Sequence, residues 1–282
     1  MMAKRKIRRR KSKNREIKGV KLRPNATAVS RLSSEVVSRV DDMHRDIIKQ
    51  VEAIFTPASV ESIALDASIT LKTETLINRL VSKWRKRFNL FASNQSDAIL
   101  KTMERQANSD LNKYARKLSS DMTIKVSDMS LRTKDIIRAK TIETTSLIKT
   151  LASGYLDDVE TSVMRSITTD STSLQSLQSS IHEALTERYK RHRNKAKNVS
   201  LDQTRKVYQA VASERMRDAG LNEFIWRHAG GSQQPREHHR DVLNGQIFSL
   251  DDLPVINTKT GEKGKPGDEI NCKCFMEPVI RF

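Results

Sequence analysis

Three adjacent pieces decide the fold: Ser200–Gly220, SLDQTRKVYQAVASERMRDAG; Phe224–Phe248, FIWRHAGGSQQPREHHRDVLNGQIF; and Gly264–Pro278, GKPGDEINCKCFMEP. In the first, Leu201, Val207 and Val211, with Tyr208 beside them, recur at helical spacing and predict one buried face. Ser200 and Gln203 have the spacing of a capping box, which places a helix start at Ser200. Gly220, just after Asp218-Ala219, suits the C′ position that ends such a helix. In the second piece Phe224 and Trp226 fall on one face of a strand by period 2. Asn244-Gly245 predicts a type I′ hairpin turn, because both residue types tolerate positive φ. The third piece holds both cysteines of the chain, Cys272 and Cys274, whose thiols point the same way if the backbone is extended. Helix, strand, Arg/His loop, turn and cysteine tail together predict a small α+β unit.

Upstream the composition changes. Seven of the nine glycines and four of the six prolines lie in residues 220–282, so turns concentrate there and long helices before it. Val29, Leu32, Val36, Val40, Met43, Ile47, Val51 and Ile54 form a narrow helical stripe of roughly seven turns, which Pro57 ends or bends. A second stripe runs Ile69, Leu76, Leu80, Trp84, Phe88 and Phe91 and pauses at Ser93-Asn94-Gln95. A third uses Ile99, Met103, Ala107, Leu111, Tyr114 and Leu118; a fourth Ile137, Ile148, Leu151, Tyr155, Val159, Val163 and Ile167. Thr168–Ser171 marks a break, with Asp170 or Ser171 as an N-cap, before Leu174, Leu177, Ile181 and Leu185 resume the pattern. Stripes this narrow suit either a bundle or extended helices that complete their burial on another protein. The expected class is mainly α, with long helices in the N-terminal two-thirds and a small α+β C-terminal module. The expected division is a basic disordered arm over 1–27, an extended helical region over 28–170 and the module over 171–282.

Charge adds a partner class. The chain carries +18 overall, and residues 1–23 hold twelve basic side chains against Glu16 alone, a local +11. Such a block repels itself and buries nothing. Lys4, Arg5, Lys6, Arg8, Arg9, Arg10, Lys11 and Lys13 are therefore candidate contacts to DNA phosphates, sequence-independent and salt-sensitive; a solvated tail is the alternative. Arg188, Lys190, Arg191, Arg193, Lys195 and Lys197 form a second basic run, either a solvated helix end or another phosphate-facing patch. No stretch approaches the roughly 18–20 apolar residues that span a bilayer, and no apolar segment follows the basic N-terminus as in a secretory signal. Two cysteines in one tripeptide give no disulfide framework and fit a reducing compartment, so synthesis in a host cytoplasm is expected.

Over residues 195–280 the chain resembles the head-morphogenesis family of tailed bacteriophages, the Mu F-like (SPP1-type) minor head proteins. The resemblance rests on Asp202-Gln203-Thr204-Arg205-Lys206, on Trp226, on Arg236 followed by His239 and Asn244-Gly245, and on Cys272-Lys273-Cys274. His238 competes with His239 for the family histidine, and Lys273 stands where the family usually has Arg. The resemblance implies a non-enzymatic virion protein located inside the head, acting in procapsid assembly and in DNA packaging or ejection. Its implied partners are the portal, capsid or scaffold proteins and DNA, without a membrane. Gln203, Trp226, Arg236, His239, Asn244, Gly245, Cys272 and Cys274 become the candidate structural residues.

The same residues suggest chemistry. His239, Cys272 and Cys274, with His228 or His238 as a further ligand, have the ligand types of a tetrahedral zinc site. The alternative is a reduced cysteine pair packed as small hydrophobes beside a hydrogen-bonded histidine, with no cofactor. His238-His239 also invites a metal-dependent nuclease or toxin-like enzyme as the competing function. No histidine follows residue 239, so a downstream metal ligand would have to be Asn257 or Asn271. Gly261–Pro266 lacks the Ser/Thr and the strand–helix setting of a phosphate loop and reads as a flexible loop. His44, His182 and His192 lie in helical segments and read as solvated or packed side chains.

Overall fold

The computed structural model describes residues 16–55, 69–117, 128–169, 174–230 and 235–281. Four long helices dominate: α1 (Ala26–Glu52), α2 (Ile69–Lys117), α3 (Leu131–Thr169) and α4 (Leu174–Asp218). A short sheet unit follows, so the chain is mainly α with a small strand module at its end.

α1 begins at Asn25, whose side chain accepts a hydrogen bond from the Ala28 amide at 3.0 Å, satisfying one of the free first-turn donors. Its buried face holds Val29, Leu32, Val36, Val40, Met43, Ile47 and Val51, the stripe that periodicity predicts, widened by Ser33 and Val37. The helix gives way to a 3-10 turn at Ala53–Phe55; Pro57 lies outside the described residues.

α2 is one helix of 49 residues, so the expected break at Ser93-Asn94-Gln95 does not occur. Gln95 continues the buried seam between Phe88 and Ile99, and its amide donates to the Leu32 carbonyl of α1 at 2.9 Å. A polar side chain that finds its partner on the neighbouring helix costs the seam little. The stripe uses Ile77 and Ala92 where Leu76 and Phe91 were expected, the latter two being half-buried.

α4 likewise runs unbroken through Ser200, overturning the capping box. The Ser200 hydroxyl bonds back to the Ala196 carbonyl at 2.7 Å and lies 2.7 Å from the Ser33 hydroxyl, while Gln203 turns to Thr144 on α3. Two small residues let α1 and α4 approach closely there, with their hydroxyls satisfying each other. The basic run 188–197 is therefore mid-helix rather than a helix end, with Lys190, Arg191, Lys195 and Lys197 exposed and Arg193 on Asp41. Gly220 ends α4 as expected: at φ +75° it carries a Schellman pair, with Leu221 N–H on the Met216 carbonyl and Gly220 N–H on that of Arg217.

Side-chain pairs fix the helix directions. Ser33 meets Ser200, Asp41 meets Arg193 and Glu52 meets His182, so α1 and α4 are antiparallel. Asp46 with Lys83 and Asn25 with Gln106 make α2 antiparallel to α1, and Thr133 with Asp218 and Asp158 with His192 make α3 antiparallel to α4. The stripes thus close on one another as an up-down-up-down bundle. Of the helical histidines His44 is packed, stacking on Tyr189 at 3.9 Å and bonding the Tyr155 hydroxyl at 2.6 Å, whereas His182 is exposed.

The sheet has the antiparallel order β1-β6-β2-β3, from β1 (Glu16–Lys18), β2 (Glu223–Arg227), β3 (Ile247–Ser249) and β6 (Phe275–Arg281). β4 (Val255–Asn257) and β5 (Glu262–Lys263) form a separate pair. The expected arm is consequently divided. Residues 1–15 lie outside the described residues, whereas Glu16–Lys18 is an edge strand and Leu22 is fully buried, its amide on the Met276 carbonyl at 2.8 Å. The segment expected as a flexible loop is also anchored: Gly264, Pro266 and Gly267 are buried, and Lys265 reaches the Ser213 hydroxyl of α4.

Candidate functional site

Phe224 and Trp226 share the inner face of β2, as alternation predicts, and both rings pack on Phe248 of β3. Trp226 also meets His239 edge-on, with ring centroids 5.1 Å apart. His239 belongs to a π-helical turn, His238–Leu243, that places it under the sheet with 2% of its surface exposed. Leu243–Gln246 then forms a turn of type II rather than I′. Asn244 has φ −61° and ψ 125°, Gly245 has φ +85°, and the Gln246 amide bonds the Leu243 carbonyl at 3.1 Å. The π-helical turn, not a strand, precedes this corner, so the twist argument that favours I′ between two strands does not apply. Asn244 Oδ1 is then free to accept the His228 amide at 3.0 Å, fixing the chain just after β2.

The histidine that faces the cysteines is His239. Its Nδ1 lies 3.6 Å from Cys272 Sγ and 3.8 Å from Cys274 Sγ, while His228 Nδ1 lies 3.7 Å from Cys274 Sγ. His238 points elsewhere, to the Val255 carbonyl at 2.8 Å. The His239 Nε2 faces the Ile256 carbonyl at 3.0 Å and Glu269 Oε2 at 3.2 Å. Arg236 clamps the same Glu269 at 2.8 Å and donates to the Ile270 carbonyl at 2.7 Å. Both cysteines are reduced and buried, at 3% and 5% exposure.

Two residues outside the candidate structural set hold this arrangement. Asp202 of α4 accepts the Asn271 amide at 2.7 Å and pairs with Lys206. That bond stabilises Asn271 at φ +59°, a conformation uncommon outside glycine, and so aims Cys272 inward. Glu269 joins Arg236 to His239. Asp202 opens the quoted Asp202–Lys206 segment, so its position was visible; Glu269 sits in an irregular polar run that carries no periodic signal. Gln203, by contrast, is buried between α4 and α3 and does not reach the cluster.

The electrostatics follow from burial and from sharing of protons. Burial works against an imidazolium at His239, yet its pKa is raised overall, chiefly by the Cys272 sulfur and then by the Ile256 carbonyl and Glu269. The Cys272 thiol is held well below the ordinary value, first by the hydrogen bond from Cys274, against burial, and then by His239. Cys274 is pushed up, first by that same bond and then by burial. The cluster therefore favours one negative sulfur enclosed by donors. The buried Trp226 indole N–H faces the Cys274 sulfur and works against that rise.

Asn257 and Asn271 are the candidate downstream ligands of a nuclease site, and the Asn257 side chain is used otherwise. Asn257 Oδ1 accepts the Lys259 and Thr260 amides, and Asn271 is held through its backbone amide on Asp202 with its surface exposed. Lys4, Arg5, Lys6, Arg8, Arg9, Arg10, Lys11 and Lys13 lie outside the described residues.

Residues 157–277 match the family model described as Phage Mu protein F like protein. Over this segment the chain is similar to the Mu F-like head-morphogenesis family. The match starts within α3, ahead of the boundary expected at 171, and spans α4, β2, the π-helical turn and the cysteine pair. An uncharacterized protein of Haemophilus influenzae is 26% identical over 211 residues, covering 75% of this chain and 40% of that protein. The chain thus spans about 40% of the length of that relative. No solved structure matches this chain. Among the described residues no helix is long and apolar enough to cross a membrane.

Proposed function

We propose that this chain acts as a minor head protein of a tailed bacteriophage, held inside the head in few copies and working in procapsid assembly and in DNA packaging or ejection. The observation that carries this reading is the Mu F-like match over residues 157–277, which falls on one folded unit in which α4 bonds the segment leading into β6. In this reading the module is an attachment piece for the portal or for capsid and scaffold proteins, and α4 ties it rigidly to the bundle. The basic residues 4–13, joined by the exposed Lys190, Arg191, Lys195 and Lys197, meet packaged DNA through phosphates alone.

A non-catalytic role is also what the His/Cys cluster supports best. A general base must reach a proton on its substrate, and His239 is 2% exposed with its Nε2 turned to a backbone carbonyl. The test is affinity capture of the tagged chain from lysates with and without portal protein. Enrichment of capsid components that depends on portal is the expected result. Equal recovery of the same proteins in both lysates, or of none, would remove the portal from this account.

A further inference from the structure

We propose that His239, Cys272, Cys274 and His228 form a structural zinc site that staples the π-helical turn and the end of β2 to the cysteine segment before β6. His239 Nδ1 and the two sulfurs all lie within 4.8 Å of one another and are buried. Zinc bonds of about 2.3 Å to sulfur and 2.0–2.1 Å to nitrogen, at tetrahedral angles, put ligand nitrogen and sulfur about 3.6 Å apart. The three nitrogen–sulfur separations here are 3.6, 3.8 and 3.7 Å. A cavity of about 30 Å³ is lined by all four side chains. His228, whose Nδ1 lies 3.7 Å from Cys274 Sγ, is the fourth ligand from that side.

Two sulfurs and two imidazole nitrogens converge here, and the Nε2 proton of His239, directed at the Ile256 carbonyl, leaves its Nδ1 lone pair facing both sulfurs. A metal would take that lone pair and both sulfurs as thiolates, releasing two protons to solvent. The surroundings match what metal-bound histidines require. The distal nitrogen of His239 is anchored by a backbone carbonyl and by Glu269, itself fixed by Arg236. Two thiolates and two neutral imidazoles neutralise the divalent ion, so the filled site adds no net charge to a buried place. The four ligands close the coordination shell, which marks the site as structural rather than catalytic.

The test uses the intact chain, purified without added metal and titrated with Co²⁺ and then Zn²⁺. Expected are one metal per chain, ligand-field bands of tetrahedral cobalt with a thiolate charge-transfer band, bleaching by zinc, and a higher melting temperature in the zinc form. Cys274→Ser should abolish the charge-transfer intensity of one thiolate and weaken binding at least tenfold. His228→Gln removes the least buried ligand without touching the core, and should weaken binding and alter the cobalt spectrum while the metal-free protein melts unchanged. A folded wild-type chain that takes up less than about 0.1 cobalt, or binds it without the thiolate band, overturns the proposal. An unchanged spectrum in His228→Gln overturns the four-ligand assignment.

Discussion

Gly19 donates its amide to the Pro278 carbonyl at 2.7 Å, and a Cβ at Gly19 would stand 2.8 Å from that same oxygen. The chain's N-terminal segment is thereby locked to β6, one of the two interior strands of the sheet. Pro278 suits this place because it has no amide to leave unpaired. Gly19→Ala should force β1 away from β6 and destabilise the protein by about 1–3 kcal/mol, as overpacking does. Chemical denaturation measures this; a variant as stable as wild type would mean that β1 is dispensable to the fold.

Asp46 gathers three donors between α1 and α2: the Trp84 indole and the Lys83 ammonium at 2.6 Å, and the Gln50 amide at 2.7 Å. Burial opposes its charge, but these bonds, Lys83 first, hold its pKa below the usual carboxylate value. Asp46→Ala leaves the Trp84 N–H unpaired and should cost roughly 1–3 kcal/mol. Because the folded pKa is depressed, Asp46's contribution is present above the unfolded value near 3.8 and lost as pH falls below it. The stability gap between wild type and Asp46→Ala, followed by thermal melting across that range, should narrow in acid.

His44 behaves in the opposite sense. Burial first, and the nearby His182 second, lower its pKa to about 4. Its neutral ring stacks on Tyr189 and bonds Tyr155, so protonation is resisted by the fold. The penalty is absent above the unfolded value near 6.5 and grows as pH falls from there toward about 4. His44→Gln should be less stable than wild type at neutral pH and should lose less stability over that window. Parallel melting curves for the two proteins at every pH would contradict the assignment.

The basic residues preceding β1 give a third kind of expectation. Removing residues 1–15, which carry nine Lys and Arg, should weaken duplex DNA binding at low salt. It should also flatten the dependence of log K on log salt by about 0.9 for each phosphate that the deletion leaves unneutralised. The sheet remains intact in this variant because β1 starts at Glu16. An unchanged salt slope would assign DNA binding, if present, to α4.

Hydrophobic period alone exposes α1, where seven of the nine buried positions follow the expected stripe and Ser33 and Val37 widen it, and the composition shift near Gly220 exposes the module. The continuity of α2 and α4 was hidden for one reason. Gln95 and Ser200 resemble breaks locally, and only a partner on another helix, Leu32 or Ser33, satisfies them as interior residues. β1 was invisible within a run of like charge, because its reason to exist is the edge of β6 at the other end of the chain. At the cluster, the residue types of the cysteine–histidine set were legible. The choice of His239 over His238 was not, since adjacent residues differ only in the direction that the π-helical turn gives them. Asp202 and Glu269 act through other residues, and no spacing rule marks such supports.

The central claim is that the Mu F-like unit serves in a virus particle. Quantitative mass spectrometry of purified particles, from a phage or induced prophage encoding this chain, tests it most directly. The account predicts the chain at a few copies per particle, and few or no infectious particles after its gene is deleted. Its absence from particles, together with normal yields from the deletion strain, would contradict the account.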